Sequence, residues 1–526
     1  MIRSNNLPIS VFALLTLFGA SIITGCKTKT DIAQKPPNII FILADDLGYG
    51  ELGCYGQTKI ETPNIDDLAR RGTRFTEAYS GSPVCAPARC VLLTGRHTGH
   101  AYVRGNDEWG ERGEVWNFAK AVEDPNLEGQ RPLPVDSVTI AEVLKTRGYA
   151  TGMVGKWGLG GPLSDGIPNN QGFDFFFGYN CQRQAHTYFP RHLWKNKEKV
   201  WLDNPLVPPG TKLPEGADPN DSSAYANFWL KDYSPDLMQK EALGFIEENK
   251  DKPFFLYYAT PISHAPLQAP PRWVEHYRQK FGPEAPYVGD KGYFPNQTPH
   301  AAYAAMISYL DEKVGELVAK LRELGLEDNT LIVFTSDNGP TYNGGTDSPY
   351  FNSAGPFKSE YGWGKGFVHE GGIREPFIAC WPDKIAPGTE SPHQLSFYDV
   401  MPTLAELTGA DAPPNDGISF LPSLLGKPDE QQAHEYLYWE FPEYDGQQAV
   451  RMGDWKGIRL DLQKDPTEIM LFDLKSDPAE SHDVASEHPE IVEKIRRIME
   501  SQHKESELTR FRIAALGDEV GEELRN

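Results

Sequence analysis

The residues best equipped for chemistry lie in Ser82-Pro83-Val84-Cys85-Ala86-Pro87-Ala88-Arg89. This stretch reads as the start of a short helix. Pro87 suits a first turn, where a missing N–H costs nothing. Val91, Leu92 and Leu93 follow, and Thr94-Gly95 stops the helix. Cys85 then sits at a helix N-terminus, where free N–H groups favour an anion. Arg89 adds a positive charge close by. The alternative for a lone cysteine is a small buried hydrophobe.

Other candidates stand where apolar runs end. Ile39 to Ala44 is continuously apolar, as in a parallel strand buried on both faces, and Asp45-Asp46 follow it. Adjacent carboxylates repel unless a cation lies between them; the alternative is a helix N-cap and a surface turn. Tyr149 to Val154 leads into Gly155-Lys156-Trp157-Gly158, and Pro253 to Ala259 into Thr260-Pro261-Ile262-Ser263-His264. Leu331 to Thr335 leads into Ser336-Asp337-Asn338. A fifth run, Pro376 to Trp381, has its polar groups upstream, in Lys365 and Glu370-Gly371-Gly372. In open α/β sheets, sites form outside the carboxyl ends of the strands.

Helical patterns separate these runs. Ile307, Leu310, Val314, Leu317 and Leu321 make one apolar face, as do Ile140, Val143 and Leu144. The alternation predicts an α/β fold, with a large, mostly parallel sheet sandwiched by helices over residues 37–426. The long loops Val200 to Asp221 and Pro340 to Gly364 are expected to rim the site. Beyond Gly426, residues 427–526 offer strands at 436–441, 449–452, 455–459 and 470–473 and a helix at 489–503, a smaller antiparallel sheet plus helix.

The chain has 526 residues and a net charge of −23, which argues against nucleic-acid binding. It leaves room for an anionic small substrate, because a metal and a few clustered cations reverse the sign locally. The six cysteines carry no disulfide pattern. At the start, Arg3 precedes a mostly apolar run from Leu7 to Ile23, a signal peptide over residues 1–25. Ile23-Thr24-Gly25-Cys26 resembles a bacterial lipobox. That implies export, with a periplasmic lipoprotein held to the membrane only through acylated Cys26 and a polar tether over residues 26–36.

Cys85-Ala86-Pro87-Ala88-Arg89, followed by Thr94-Gly95-Arg96, resembles the signature of the type I, formylglycine-dependent sulfatases of the alkaline phosphatase superfamily. The resemblance recurs in blocks from about Pro36 to Gly426. It implies an alkaline-phosphatase-like fold and a sulfuric ester hydrolase. It further implies that a formylglycine-generating maturation enzyme oxidises Cys85 to formylglycine (3-oxoalanine), whose hydrate attacks sulfur. Asp45, Asp46, Asp337 and Asn338 match the family's calcium ligands, with residue 85 also contacting the metal. Arg89 would hold the hydrate, Lys156 and Lys365 would bind sulfate, and His264 would protonate the leaving alcohol. All four calcium candidates are oxygen donors, as a hard cation requires.

Two positions depart from that pattern. Gly158 stands where the family has a histidine, and Gly362 where it often has an arginine. Glycine cannot remove a proton, so another base is needed to expel sulfate. His186, in the polar and aromatic block Cys181 to Tyr188, is the first candidate; His97 and His100, shortly after the Cys85 helix, are the next. The expected substrate is a sulfated carbohydrate of galactose or N-acetylgalactosamine type. Two other readings stay open: a phosphoesterase of the same superfamily using unmodified Cys85, and an inactive glycan-binding lipoprotein.

Overall fold

The apolar run after Pro37 forms the middle of the molecule. In the computed structural model, which describes residues 35–520, it is strand β1 (Asn38–Ala44), buried throughout. Ile39, Phe41 and Leu43 face one layer, which includes the helices Cys85–Thr94, Ile140–Lys145 and Val400–Thr408. Ile40, Ile42 and Ala44 face the other, with Pro63–Arg71, Ser234–Glu248, Pro271–Phe281 and Pro299–Glu323. A strand covered on both faces needs apolar residues at every position, which is why the run does not alternate.

Ten strands make the main sheet. Across it run β11 (Thr389–Ser391), β2 (Thr73–Phe75), β10 (Phe377–Cys380), β9 (Thr330–Ser336), β1, β8 (Phe254–Ala259), β4 (Ala150–Lys156), β5 (Phe175–Tyr179), β6 (His192–Lys195) and β7 (Glu198–Trp201). The central strands β9, β1, β8, β4 and β5 are parallel. Ala44 pairs with Ser336 and Leu43 with Ala259, so three strands end at one edge. The fifth run, β10, is antiparallel to β9, with Phe377 opposite Thr335. Its beginning therefore lies at the edge where the others end, which explains why its polar neighbours precede it in sequence. A short pair, β3 (Ala78–Tyr79) and β12 (Leu395–Ser396), stands apart.

The C-terminal part is the expected antiparallel sheet: β13 (Leu437–Phe441), β14 (Gln447–Met452), β15 (Trp455–Arg459) and β16 (Met470–Asp473), with the helix Pro489–Gln502. One face packs Tyr438, Val450 and Leu471 on Ile495 and Met499 of that helix. The other face puts Leu437, Trp439, Phe441 and Ile458 into the same core as the Cys85 helix. The Trp439 indole donates to the Ser80 carbonyl at 2.8 Å. Among the described residues no helix is long and apolar enough to cross a membrane. The signal and lipobox residues Arg3 to Cys26 lie outside the described part.

Candidate active site

Each element of the sheet edge delivers one part of a single cluster. β1 leads directly into Asp45 and Asp46, β9 into Asp337 and Asn338, and all four side chains are buried. β4 ends on Lys156, and the turn after β8 carries His264. The helix Cys85–Thr94 begins beside them, with Val84 at its N-cap and Gly95 closing it in the left-handed conformation. The Ala86 N–H donates to Asn106 Oδ1 at 3.2 Å, which anchors the first turn. Lys365 arrives from the segment before β10.

The geometry centres on Cys85. Its Sγ lies 3.4 Å from Asp45 Oδ1, 3.4 Å from Lys156 Nζ and 3.7 Å from Lys365 Nζ. Lys156 Nζ donates to Asp45 Oδ2 at 2.6 Å, and Lys365 Nζ to Asp46 Oδ1 at 2.6 Å and Oδ2 at 2.8 Å. Arg89 Nε and a terminal guanidinium nitrogen donate to Asp337 Oδ2 at 3.1 and 2.8 Å, and its other nitrogen to the Lys156 carbonyl. Arg89 thus fixes Asp337 and the end of β4 together. His264 Nδ1 meets the Ala265 carbonyl at 2.6 Å, which leaves Nε2 toward the site, 3.6 Å from Asp46 Oδ2.

Charge follows from this packing. Burial opposes ionisation of Asp45, yet Lys156, His264 and Arg89 hold its carboxyl well below the usual range. Burial and the neighbouring Asp45 push Asp337 up to about 6 in spite of Arg89. Burial pushes the Cys85 thiol up to about 12, outweighing both lysines. The helix N-terminus therefore does not make this cysteine a thiolate, and an unmodified thiol is a weak nucleophile at neutral pH. Burial, then Lys365 and Lys156, keep the His264 imidazole well below its ordinary value.

The donor set suits a hard cation. Ligand atoms of Asp45, Asp46, Cys85 and His264 lie within 4.8 Å of one another. Asn338 Nδ2 donates to Asp46 Oδ1 at 2.8 Å, while Asn338 Oδ1 is buried with no hydrogen-bond partner among the described residues. An orphaned amide oxygen beside three buried carboxylates is what a calcium-sized ion would satisfy.

A family model described as Sulfatase matches residues 37–410. The chain belongs to the sulfatase family. It is a sulfuric ester hydrolase with the alkaline-phosphatase-like fold. A second model, N-sulphoglucosamine sulphohydrolase, C-terminal, matches residues 359–506. Human arylsulfatase A is 34% identical over 501 residues, 88% of this chain and 87% of that one. N-acetylgalactosamine-6-O-sulfatase of Bacteroides thetaiotaomicron is 32% identical over 554 residues, 94% of this chain and 99% of its own. Among solved structures, Ps i-CgsB superposes with a TM-score of 0.70 at 28% identity, covering 89% of this chain and 94% of its own.

In this sulfatase a cavity of about 320 Å³ opens onto Cys85, Lys156, His264 and Lys365. Larger clefts, of 420 and 710 Å³, hold no such convergence of nucleophile and cations. Gln182, Arg183 and His186 line the cavity, as expected of the Cys181 to Tyr188 block. Thr341, Tyr342 and Asn343 place the second long loop on the rim; among the described residues of the first, Val200 to Asp221, none lines it. His97 and His100 are not in the site. They follow the far end of a 10-residue helix, about 15 Å long. There His100 Nδ1 meets both oxygens of Asp416 at 3.0 Å, and His97 is used by Gly99 N–H and Gln502. Gly362 is open on its side-chain face, and Lys358 lies over the Trp363 ring at 3.6 Å.

Sequence reasoning missed Asn106, Glu108, Trp116, Tyr293 and Tyr444, which also line the cavity. Trp116 is 67% exposed and Tyr444 42%. Exposed aromatics between glycines and charges were the signal available, but nothing local ties either residue to Cys85.

Proposed function

We propose that this sulfatase hydrolyses sulfate monoesters on galactose- or N-acetylgalactosamine-type sugars, with residue 85 matured to formylglycine and one calcium bound. The observation that carries this reading is the convergence of Lys156, Lys365 and His264 on a buried Cys85 whose own thiol is held protonated. Hydrated formylglycine would supply the nucleophile, and calcium would offset charge on the sulfate oxygens. Asp45, Asp46, Asp337 and Asn338 would hold the ion.

The remaining work belongs to this chain's residues. With calcium held by Asp45, Asp46, Asp337 and Asn338, Lys156 and Lys365 would be free to grip sulfate oxygens, where negative charge grows in the transition state. His264 Nε2 faces the leaving oxygen. Its Nδ1, fixed on the Ala265 carbonyl, orients the ring for proton donation. Burial is the main reason this imidazole is neutral, and a bound sulfate anion would offset the two ammonium charges that add to it. Arg89 holds Asp337 and the β4 end in register with residue 85.

The sugar assignment draws on the relatives. One is named N-acetylgalactosamine-6-O-sulfatase, and Ps i-CgsB was solved with a neocarrahexaose. The exposed faces of Trp116 and Tyr444 beside the cavity suit stacking on sugar rings. Export as a lipoprotein through Cys26, and maturation by a partner enzyme, belong to the same proposal. A screen of defined sulfated monosaccharides and disaccharides, following free sulfate, tests the substrate, with mass spectrometry of residue 85 alongside. Phosphate release by protein carrying an unmodified cysteine would favour the phosphoesterase reading. Glycan binding without turnover would favour the inactive one.

A further inference from the structure

The wall of the cavity beside β4 is built by a residue far from it in sequence. Gly158 has φ +80°, and a Cβ there would fall 2.5 Å from Gln182 Nε2 and 2.8 Å from Gln182 Cγ. The Gln182 side chain therefore fills the space a side chain at position 158 would take. It lines the cavity with Cys85 and Lys156 and is only 5% exposed. Its Nε2 is buried without a hydrogen-bond partner among the described residues.

The rest of the residue is tightly held. Gln182 N–H donates to Gln130 Oε1 at 2.8 Å, and Gln130 Nε2 donates to Glu108 Oε1 at 2.7 Å. Gly158 N–H donates to the Asn180 carbonyl at 3.3 Å, which fixes the two loops against each other. A pinned backbone with an unsatisfied, buried amide is a binding group awaiting its partner, since native folds rarely leave such groups unpaired.

Resting on the sugar-sulfatase reading above, we propose that Gln182 is a specificity-determining residue whose carboxamide binds a hydroxyl of the sulfated sugar. The chemistry matches. The sulfate is met by ammonium groups, whereas a neutral hydroxyl is both donor and acceptor, as a carboxamide is. A site built to hydrogen-bond a hydroxyl discriminates strongly against a substrate that lacks it.

The test compares N-acetylgalactosamine 6-sulfate with para-nitrophenyl sulfate, which has no sugar hydroxyl, using full-length matured protein. For Gln182→Ala, the ratio of kcat/KM for the sugar over the aryl sulfate should fall by about tenfold or more, mainly through KM. A ratio within about twofold of the parent overturns the proposal, whether both activities survive or both collapse together. If the unaltered enzyme cleaves the aryl ester but no sulfated sugar, the substrate reading itself falls, and this proposal with it.

Discussion

His186 stacks on His264, with ring centroids 5.0 Å apart and planes within 10° of parallel. Tyr293 closes the edges of both rings, at 5.3 and 5.5 Å. Burial, then the neighbouring His264, Lys156 and Lys365, hold the His186 imidazole well below its ordinary value, so it is neutral, and it is a weak base until a bound anion offsets the lysine charges. With Gly158 unable to act as base, two outcomes separate its roles. If His186 is the base for sulfate expulsion, His186→Ala should show a burst of released sugar and then a slow phase, down by about a hundredfold or more. If it only binds sugar, the variant should raise KM with no burst. Rapid-quench measurement of released sugar decides between them.

Metal removal should be as damaging as removal of the nucleophile. Asp45, Asp46 and Asp337 rest against Lys156, Lys365 and Arg89, and the Asn338 oxygen beside them is buried with no hydrogen-bond partner among the described residues. Exhaustive chelation should abolish sulfate release, and calcium should restore it. Asp45→Ala should lose both metal and activity. Full turnover after chelation, with no metal by elemental analysis, would count decisively against the ion.

Much of this site can be read in the sequence, for a physical reason. β1 and β8 are apolar at nearly every position and β4 and β9 have apolar centres, so the polar residues at or just past the end of each run mark the sheet edge. Lys156, Asp45 and Asp337 follow from that alone. Lys365 is harder, because it precedes a strand whose antiparallel direction no local pattern reveals. His97 and His100 mislead because nearness in sequence to Cys85 spans a whole helix. Trp116, Glu108 and Tyr444 reach the cavity through long-range packing of loops, and Tyr444 comes from the C-terminal sheet's β13–β14 turn.

That sheet is tied to the catalytic segment by buried charges. Lys456 on β15 has 0% exposure and donates to Glu370 at 2.8 Å, with Glu480 at 3.0 Å. Glu370 also receives the Tyr79 hydroxyl and Arg374, and lies just downstream of Lys365. Lys456→Met leaves two buried carboxylates short of their shared cation, which costs about 3–5 kcal/mol. Denaturant unfolding should show this loss. The double variant Lys456→Met with Glu480→Gln should recover part of it, because one stranded charge is removed; no recovery would show that the ion cluster does not set the stability.

Glu443 gives a dependence on pH of defined sign. It follows β13, accepts the Asn106 N–H at 3.1 Å, and so backs the residue that caps the Cys85 helix. Burial pushes its carboxyl from 4.5 up to about 7, with the Asn106 bond and Arg510 pulling the other way and Asp107 adding to the rise. The folded chain thus holds this proton more tightly than the unfolded chain does. Between about pH 4.5 and pH 7 the folded state binds more protons at this site, so stability from Glu443 is fully present below 4.5 and is lost as pH rises through 7. Glu443→Gln keeps the acceptor and cannot ionise. It should leave the melting temperature nearly unchanged at low pH and raise it by about 1–2 °C above pH 7, an effect of about 1–2 kcal/mol after allowance for partial exposure. Melting curves of both proteins across this range check it, and a constant offset at every pH would rule out ionisation of Glu443 as the cause.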